Sequence, residues 1–312
     1  MSSANSQLKD FEIIFFDVYG TLCDWETGIY EGLKPLLSKF PSSAKWTRKE
    51  ALEAFTAIEA DLQVKFPELL YCDLLAKAHE VMEERLRAAS GQPVQTTTLE
   101  GDPTQPASTS GASTSSSDPA SDNDNNPHVA FGNSIKDWPL FPDTTEALRT
   151  LAKHYKLCVL SNVDRPSFAH TLAKLSDDEA HPELYQPPSS GSASGEKYWF
   201  PQETPNSKSP FTLILTAQDV GSYKPALHGF EVALGVAKED SHLKGSDRDV
   251  KERVLWVAQS LFHDVEPVNK IGVKSVWINR AGAAMGLNAP HNYGWKFNTL
   301  GEMADEVSKG SV

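Results

Sequence analysis

The sequence predicts an α/β protein, a mostly parallel sheet flanked by helices with a smaller helical unit set into it. Three observations carry this prediction. A short apolar run at residues 11–16 ends abruptly in Asp17 and a Gly20-Thr21 turn. From Asp137 onward, strand-like and helical patterns alternate. Between the two, over residues 27–90, apolar residues recur at helical spacing.

Taken in order, the run at 11–16 is broken only by Glu12, the pattern of a strand buried on both faces. The helical stretch reads as Leu33, Leu36 and Leu37, then Leu52, Phe55 and Ile58, then Leu74, Leu75, Ala78 and Met82. Thr47 followed by Glu50 has capping-box spacing and sets a helix start there. Residues 91–128 are Ser, Thr, Pro, Gly, Asp and Asn with almost no large apolar side chain. Such a segment cannot bury enough surface to offset its ordering entropy, and a disordered loop is expected.

Next come a helix over 144–154 and a strand over 157–160 that ends in Ser161-Asn162. A polar insertion at 176–210 interrupts the pattern, with Tyr198, Trp199 and Phe200 available to dock locally. The strand Phe211–Thr216 runs into Asp219, Tyr223 and Lys224, and a helix follows over 225–234. The strand Val254–Ala258 ends in a polar loop containing Asp264, and a last strand covers 275–278. Alternation of this kind implies right-handed crossovers and ligand binding beyond the carboxyl ends of the strands. The expected division is an α/β core of residues 1–23 and 139–312, with a helical cap at 24–138 inserted after the first strand.

Composition narrows the function classes. The 312-residue chain exceeds the usual single-domain range and can bury a sizeable core. Its 42 acidic against 29 basic residues, without a basic run, argue against a nucleic-acid or anionic-membrane partner. Three cysteines, Cys23, Cys72 and Cys158, in apolar or helical settings suggest reduced thiols. The first residues lack a secretory-signal pattern, and no apolar run approaches the roughly 20 residues of a membrane helix, so a cytoplasmic location is expected.

Four strand ends each deliver a polar group: Asp17 with Thr21, Ser161 with Asn162, Lys224, and Asp264. Each alone has a plain structural explanation, such as a turn, a helix cap or a solvated lysine. Together, a carboxylate, hydroxyl and amide groups and an ammonium at one sheet edge suit nucleophilic catalysis on an anionic substrate.

These residues resemble the haloacid dehalogenase superfamily. The stretch Asp17-Val18-Tyr19-Gly20-Thr21-Leu22 is similar to its first motif, Leu160-Ser161-Asn162 to the second, Tyr223-Lys224-Pro225 to the third, and Ser260-Leu261-Phe262-His263-Asp264 to the fourth. The resemblance implies a Rossmann-like parallel-sheet core, an inserted helical cap and a nucleophilic Asp17. Phosphatases of that superfamily carry a second Asp where Tyr19 stands and an acid for magnesium where Gln259 stands. The resemblance is therefore to the 2-haloacid dehalogenase branch, which implies no cofactor and no metal.

By the same resemblance, Asp17, Lys224 and Asp264 are the catalytic groups. Tyr19, Thr21, Ser161, Asn162 and Arg48 bind substrate, Ser161 holding its carboxylate, with Asn162 near the halide and Arg48 cradling it. Arg48 also has the ordinary reading of an exposed residue in a first helical turn. The implied partner is a small-molecule carboxylate, with room left for a homodimer. Phe230, Gln259 and Leu261 depart from the branch, which carries tyrosine, serine and asparagine there. Trp25 and the Arg280-Ala281-Gly282 turn are further candidates to border the site. A magnesium-dependent phosphatase, a hydrolase of larger metabolites and a catalytically silent binding protein are the competing expectations.

Overall fold

The first strand, β1 (Ile13–Phe16), is apolar and buried at all four positions, because it lies inside the sheet. It pairs in parallel with β2 (Lys156–Ser161) on one side and β4 (Val254–Ala258) on the other. With β3 (Phe211–Thr216), β5 (Lys274–Ile278) and β6 (Trp295–Phe297) they form a six-stranded parallel sheet in the order β3-β2-β1-β4-β5-β6. This computed structural model describes residues 6–91, 126–188, 198–290 and 292–309.

Period-two alternation along β1 sends its side chains to opposite faces. Ile14 and Phe16 join an apolar cluster on one face, and Ile13 and Phe15 join a second on the other, where Phe15 stacks on Trp256 at 5.3 Å. The chain builds outward from β1 in both directions, so the crevice beside β1 at the carboxyl edge is the topological switch point. The short β6 is not anticipated by the sequence, since three half-exposed or exposed residues carry too little pattern.

Among the described residues, α1 (Trp25–Leu37), α2 (Arg48–Lys65), α3 (Tyr71–Ala89) and α4 (Pro127–Gly132) follow β1 before the chain returns to the sheet. The capping box forms as expected. Thr47 N donates to Glu50 Oε2 at 2.7 Å, and Glu50 N to Thr47 Oγ1 at 3.3 Å. The apolar faces of these helices, including Leu33, Leu52, Phe55 and Leu74, belong to the same buried cluster as Phe16 and Val257 of the sheet.

Around the sheet lie α5 (Thr144–Leu151), α6 (Arg165–Leu175), α7 (Ala217–Val220), α8 (Leu227–Glu239), α9 (Val250–Arg253), α10 (Glu266–Lys270) and α11 (Leu300–Lys309).

Most of the loop expected at 91–128 lies outside the described residues, but its last three do not conform to it. The Asn126 side chain accepts from His128 N at 2.9 Å and Pro127 opens α4, whose Phe131 packs on Phe55 at 5.4 Å. In the polar insertion, residues 189–197 are likewise outside. Trp199 docks as expected, edge-on to Phe168 at 6.0 Å, with its carbonyl accepting from Ile214 N at 2.9 Å. Phe230 is core, 4.8 Å from Trp256. Cys23, Cys72 and Cys158 are free thiols. Among the described residues no helix is long and apolar enough to cross a membrane.

Candidate active site

Asp17 follows β1 directly, with its N–H still donating to Val257 O of β4 at 3.1 Å, so the sheet fixes its backbone. The chain then turns sharply through Gly20, whose φ of 105° favours glycine; a Cβ there would meet Trp25 Nε1 and Gln259 Oε1 at 3.1 and 3.2 Å. The turn swings Thr21 back beneath the carboxylate. Thr21 Oγ1 donates to Asp17 Oδ2 at 2.6 Å and accepts from Gln259 N at 2.8 Å. Arg280 clamps the same turn, its Nη2 donating to Thr21 O at 2.7 Å and its Nη1 to Asp143 at 2.6 Å.

The other Asp17 oxygen receives the ammonium. Lys224 Nζ lies 2.7 Å from Asp17 Oδ1 and 2.9 Å from Asp264 Oδ1, and all three side chains are buried. Burial alone would lower the lysine. The two carboxylates and their hydrogen bonds outweigh it and hold the ammonium above the ordinary lysine value. Asp264 is pushed up to about 7, because complete burial and the Asp17 charge together exceed what Lys224 and Trp256 return. Its Oδ1 also accepts from Trp256 Nε1 at 3.1 Å, while Oδ2 is buried with no partner among the described residues.

These groups open onto a cavity of about 180 Å³ that also receives Tyr19, Trp25, Asn162 and Gln259, with α2 and α3 facing it from the helical side. Tyr19 shares a hydrogen bond with Thr171 at 2.8 Å, and burial first of all drives its phenol well above the ordinary tyrosine range. His263 borders the cavity too. Burial, reinforced by the nearby lysine, lowers it to about 4, so it is neutral near pH 7.

The structure brings Asp17, Thr21, Lys224, Asp264 and Tyr19 together, and it treats the other three substrate-binding candidates differently. Asn162 borders the cavity, but its amide is committed to the lysine loop: Nδ2 donates to Lys224 O at 3.0 Å and Oδ1 accepts from Lys224 N at 2.7 Å. An amide carries two N–H donors and an oxygen with two lone pairs, so these two bonds hold the lysine loop without using the side chain up. Ser161 is buried, its Oγ has no partner among the described residues, and it does not line the cavity.

Arg48 does not line this cavity. Its guanidinium ion-pairs with Glu26 at 3.2 Å and Asp24 at 3.6 Å, and it donates to Gly282 O at 3.0 Å. Two acids at the start of α1 capture it. Glu26 also accepts from Ala284 N and Met285 N at 3.0 and 2.9 Å, so this network ties α1, α2 and the loop after β5 together. Trp25 does line the cavity, whereas Arg280 does not.

Nothing in the sequence pattern singles out Glu59 and Tyr71. Thr56, Glu59, Ala60 and Gln63 form one stripe of α2 facing the cavity. Tyr71 of α3 donates its hydroxyl to Glu59 Oε1 at 2.8 Å. Burial raises the Glu59 carboxyl to about 7, offset only in part by that hydrogen bond.

Comparison with solved structures matches nearly the whole chain. An L-2-haloacid dehalogenase aligns over 95% of this chain and 99% of its own, with 16% identity and a TM-score of 0.57. The fold is that of the haloacid dehalogenases. The L-2-haloacid dehalogenase from Xanthobacter autotrophicus covers 96% of this chain and 98% of its own at 12% identity, TM-score 0.55. A putative haloacid-dehalogenase-type hydrolase from Bacillus subtilis, bound to magnesium, covers 96% and 99% at 12% identity, TM-score 0.54. No protein-family profile matches the sequence, and no curated protein does.

Among the described residues no group of three or more His, Cys, Asp or Glu is arranged to hold a metal. Gln259 offers an amide, with Nε2 donating to Met285 O at 3.0 Å, and the two acids that remain already share one ammonium.

Proposed function

We propose that this protein is a hydrolase in which Asp17 displaces a leaving group from carbon, and that the reaction is hydrolytic dehalogenation of a short 2-haloalkanoic acid or a close derivative. The observation that carries this reading is an Asp17 carboxylate held by Thr21 and Lys224 at the cavity, without an acid at position 19. The Tyr19 phenol is bonded to Thr171 and keeps its proton far above neutral pH. A departing halide needs no proton, so a site lacking a proton donor next to the nucleophile suits that leaving group.

An Asp17 oxygen attacks C2 in line, and the carbon–halogen bond breaks with its electron pair leaving on the halide. An ester joins Asp17 to C2. Holding the carboxylate rotamer from both sides keeps it near attack distance. Water then adds to the Asp17 carbonyl carbon, losing its proton to Asp264, whose carboxyl burial raises above the ordinary range and whose Oδ2 has no partner among the described residues. Lys224 offsets the negative charge that develops on the carbonyl oxygen. The bond from the carbonyl carbon to the ester oxygen breaks, and the substrate leaves as the alcohol with an oxygen that came from Asp17. The balance is R–X plus water giving R–OH, a proton and X⁻, with inversion at C2.

The test is mass spectrometry of the Asp17 peptide after many turnovers of 2-chloropropionate or its amide in ¹⁸O water. Heavy oxygen is expected in the Asp17 side chain, and Asp17→Asn should lower chloride release by at least about 10³-fold. Heavy oxygen found in product alone, with none in Asp17, rules the ester route out.

A further inference from the structure

The charges facing the cavity do not match an anionic substrate. Three carboxyl groups border it, Asp17 and Asp264 from the strand ends and Glu59 from α2, against the single ammonium of Lys224. That ammonium is already shared, at 2.7 and 2.9 Å, by the first two. His263 is neutral near pH 7, Arg48 is held by Asp24 and Glu26, and Arg280 is spent on Thr21 O and Asp143. Among the described residues no further cationic side chain lines the cavity. A substrate carboxylate would therefore enter a space whose side chains are net negative or, at lower pH, neutral.

We infer that the substrate presented to Asp17 is uncharged, an amide, ester or comparable carbonyl compound, and that Glu59, held by Tyr71, is the specificity-determining group that selects it over the free acid. This rests on the displacement reading above and narrows its substrate class. Tyr71 is the one hydrogen-bond partner of Glu59 among the described residues, binding Oε1 at 2.8 Å. The carboxyl thus keeps hydrogen-bonding capacity for a ligand in the cavity it borders. When protonated it can donate to a carbonyl oxygen, and when ionised it can accept from an amide N–H. In its ionised form it also repels a carboxylate brought near it. Such rejection is specificity by an unfavourable contact with the wrong ligand. The groups around Glu59 are Tyr71 and Tyr223, with Asp17, Lys224, Asp264 and His263 across the cavity. None of the tyrosines supplies charge at neutral pH.

A matched pair tests the assignment, because 2-chloropropionamide and 2-chloropropionate share shape and leaving group and differ in charge. At about pH 8, chloride release by the wild-type enzyme should favour the amide in kcat/KM by roughly tenfold or more, and Glu59→Gln should shrink that ratio several-fold, chiefly through a lower KM for the acid. A wild-type preference for the acid, or a ratio that Glu59→Gln leaves unchanged, overturns the assignment. Calorimetric titration of wild-type protein with lactamide and lactate, which carry no halide, reads the same selection without turnover. Tighter lactamide binding supports it even if neither chloro compound reacts, a result that would remove only the dehalogenation reading. Lactate binding as tight as lactamide, or no binding of either, overturns it.

Discussion

The two sides of the cavity are built on opposite principles. On the sheet side each polar group is doubly tied: Asp17 by Thr21 and Lys224, Lys224 by two carboxylates, and the lysine loop by both ends of the Asn162 amide. On the helical side Glu59 has one hydrogen-bond partner among the described residues, Tyr71, and sits half-buried on a helix face. A group that performs chemistry on any substrate of its class must be held by the backbone frame. A group that sorts substrates need only face them. On the proposed reading, the frame holds the reacting groups and the helical face does the sorting.

The sharpest break of that comparison is at Lys224. Lys224→Met would leave two buried carboxylates 2.7 and 2.9 Å from an apolar group, where breaking a buried ion pair from one side costs about 3–5 kcal/mol. Urea unfolding near neutral pH should show a loss of that order. The loss should shrink on acidification, because Asp264, once relieved of its cation, takes up a proton more readily still. A change below about 1 kcal/mol at neutral pH would mean that the ammonium does not bind the sheet side together.

That same frame explains which parts were readable in advance. Asp17, Thr21, Lys224 and Asp264 stand where strands end, and strand ends announce themselves as apolar runs stopping at a polar residue. The parallel sheet then brings those ends to one edge, so order along the chain translates into proximity. Glu59 carries no comparable signal. The spacing of Thr56, Glu59, Ala60 and Gln63 is that of any solvated helix face, and only the packing of α2 over the sheet edge makes it a cavity wall. Arg48 has a plausible distance along the chain from Asp17. Its partners Asp24 and Glu26, however, sit on a different helix, and which acid captures a guanidinium is decided by helix packing that sequence periodicity does not encode. The six-residue α4 and three-residue β6 are too short for any period to register.

Glu59 offers a gentler way to sharpen the comparison. Its carboxyl is ordinarily near 4.5 and is raised to about 7 by burial in the folded protein. The native state therefore holds this proton more tightly than the unfolded chain. That contribution is complete below the unfolded value and is lost as pH rises through 7. Glu59→Gln removes the dependence. Relative to wild type, the variant should gain on the order of 1–2 kcal/mol between about pH 5 and pH 8, with Asp264 acting in both proteins and cancelling. Denaturant midpoints of the two proteins at the two pH values measure it. Curves that run parallel across this range would show that Glu59 ionises freely and is no guarded part of the wall.

The smallest effect is expected at Arg48, and its smallness is informative. A halide-cradling arginine would act on the departing group, and its removal would depress kcat by orders of magnitude, as loss of a charge-stabilising donor in a closed site does. Here the side chain is about one-third exposed, at 33%, and pairs with Glu26 and Asp24 outside the cavity. Arg48→Ala should therefore cost only about 0.5–1 kcal/mol of stability, the range of partly exposed ion pairs, and leave kcat within roughly threefold of wild type. Any shift should fall on KM, since the pair steadies Glu26, and Glu26 holds the backbone of Met285 at the cavity wall. A hundredfold drop in kcat would instead return Arg48 to the reaction centre, by a movement of α2 that swings it off its two acids.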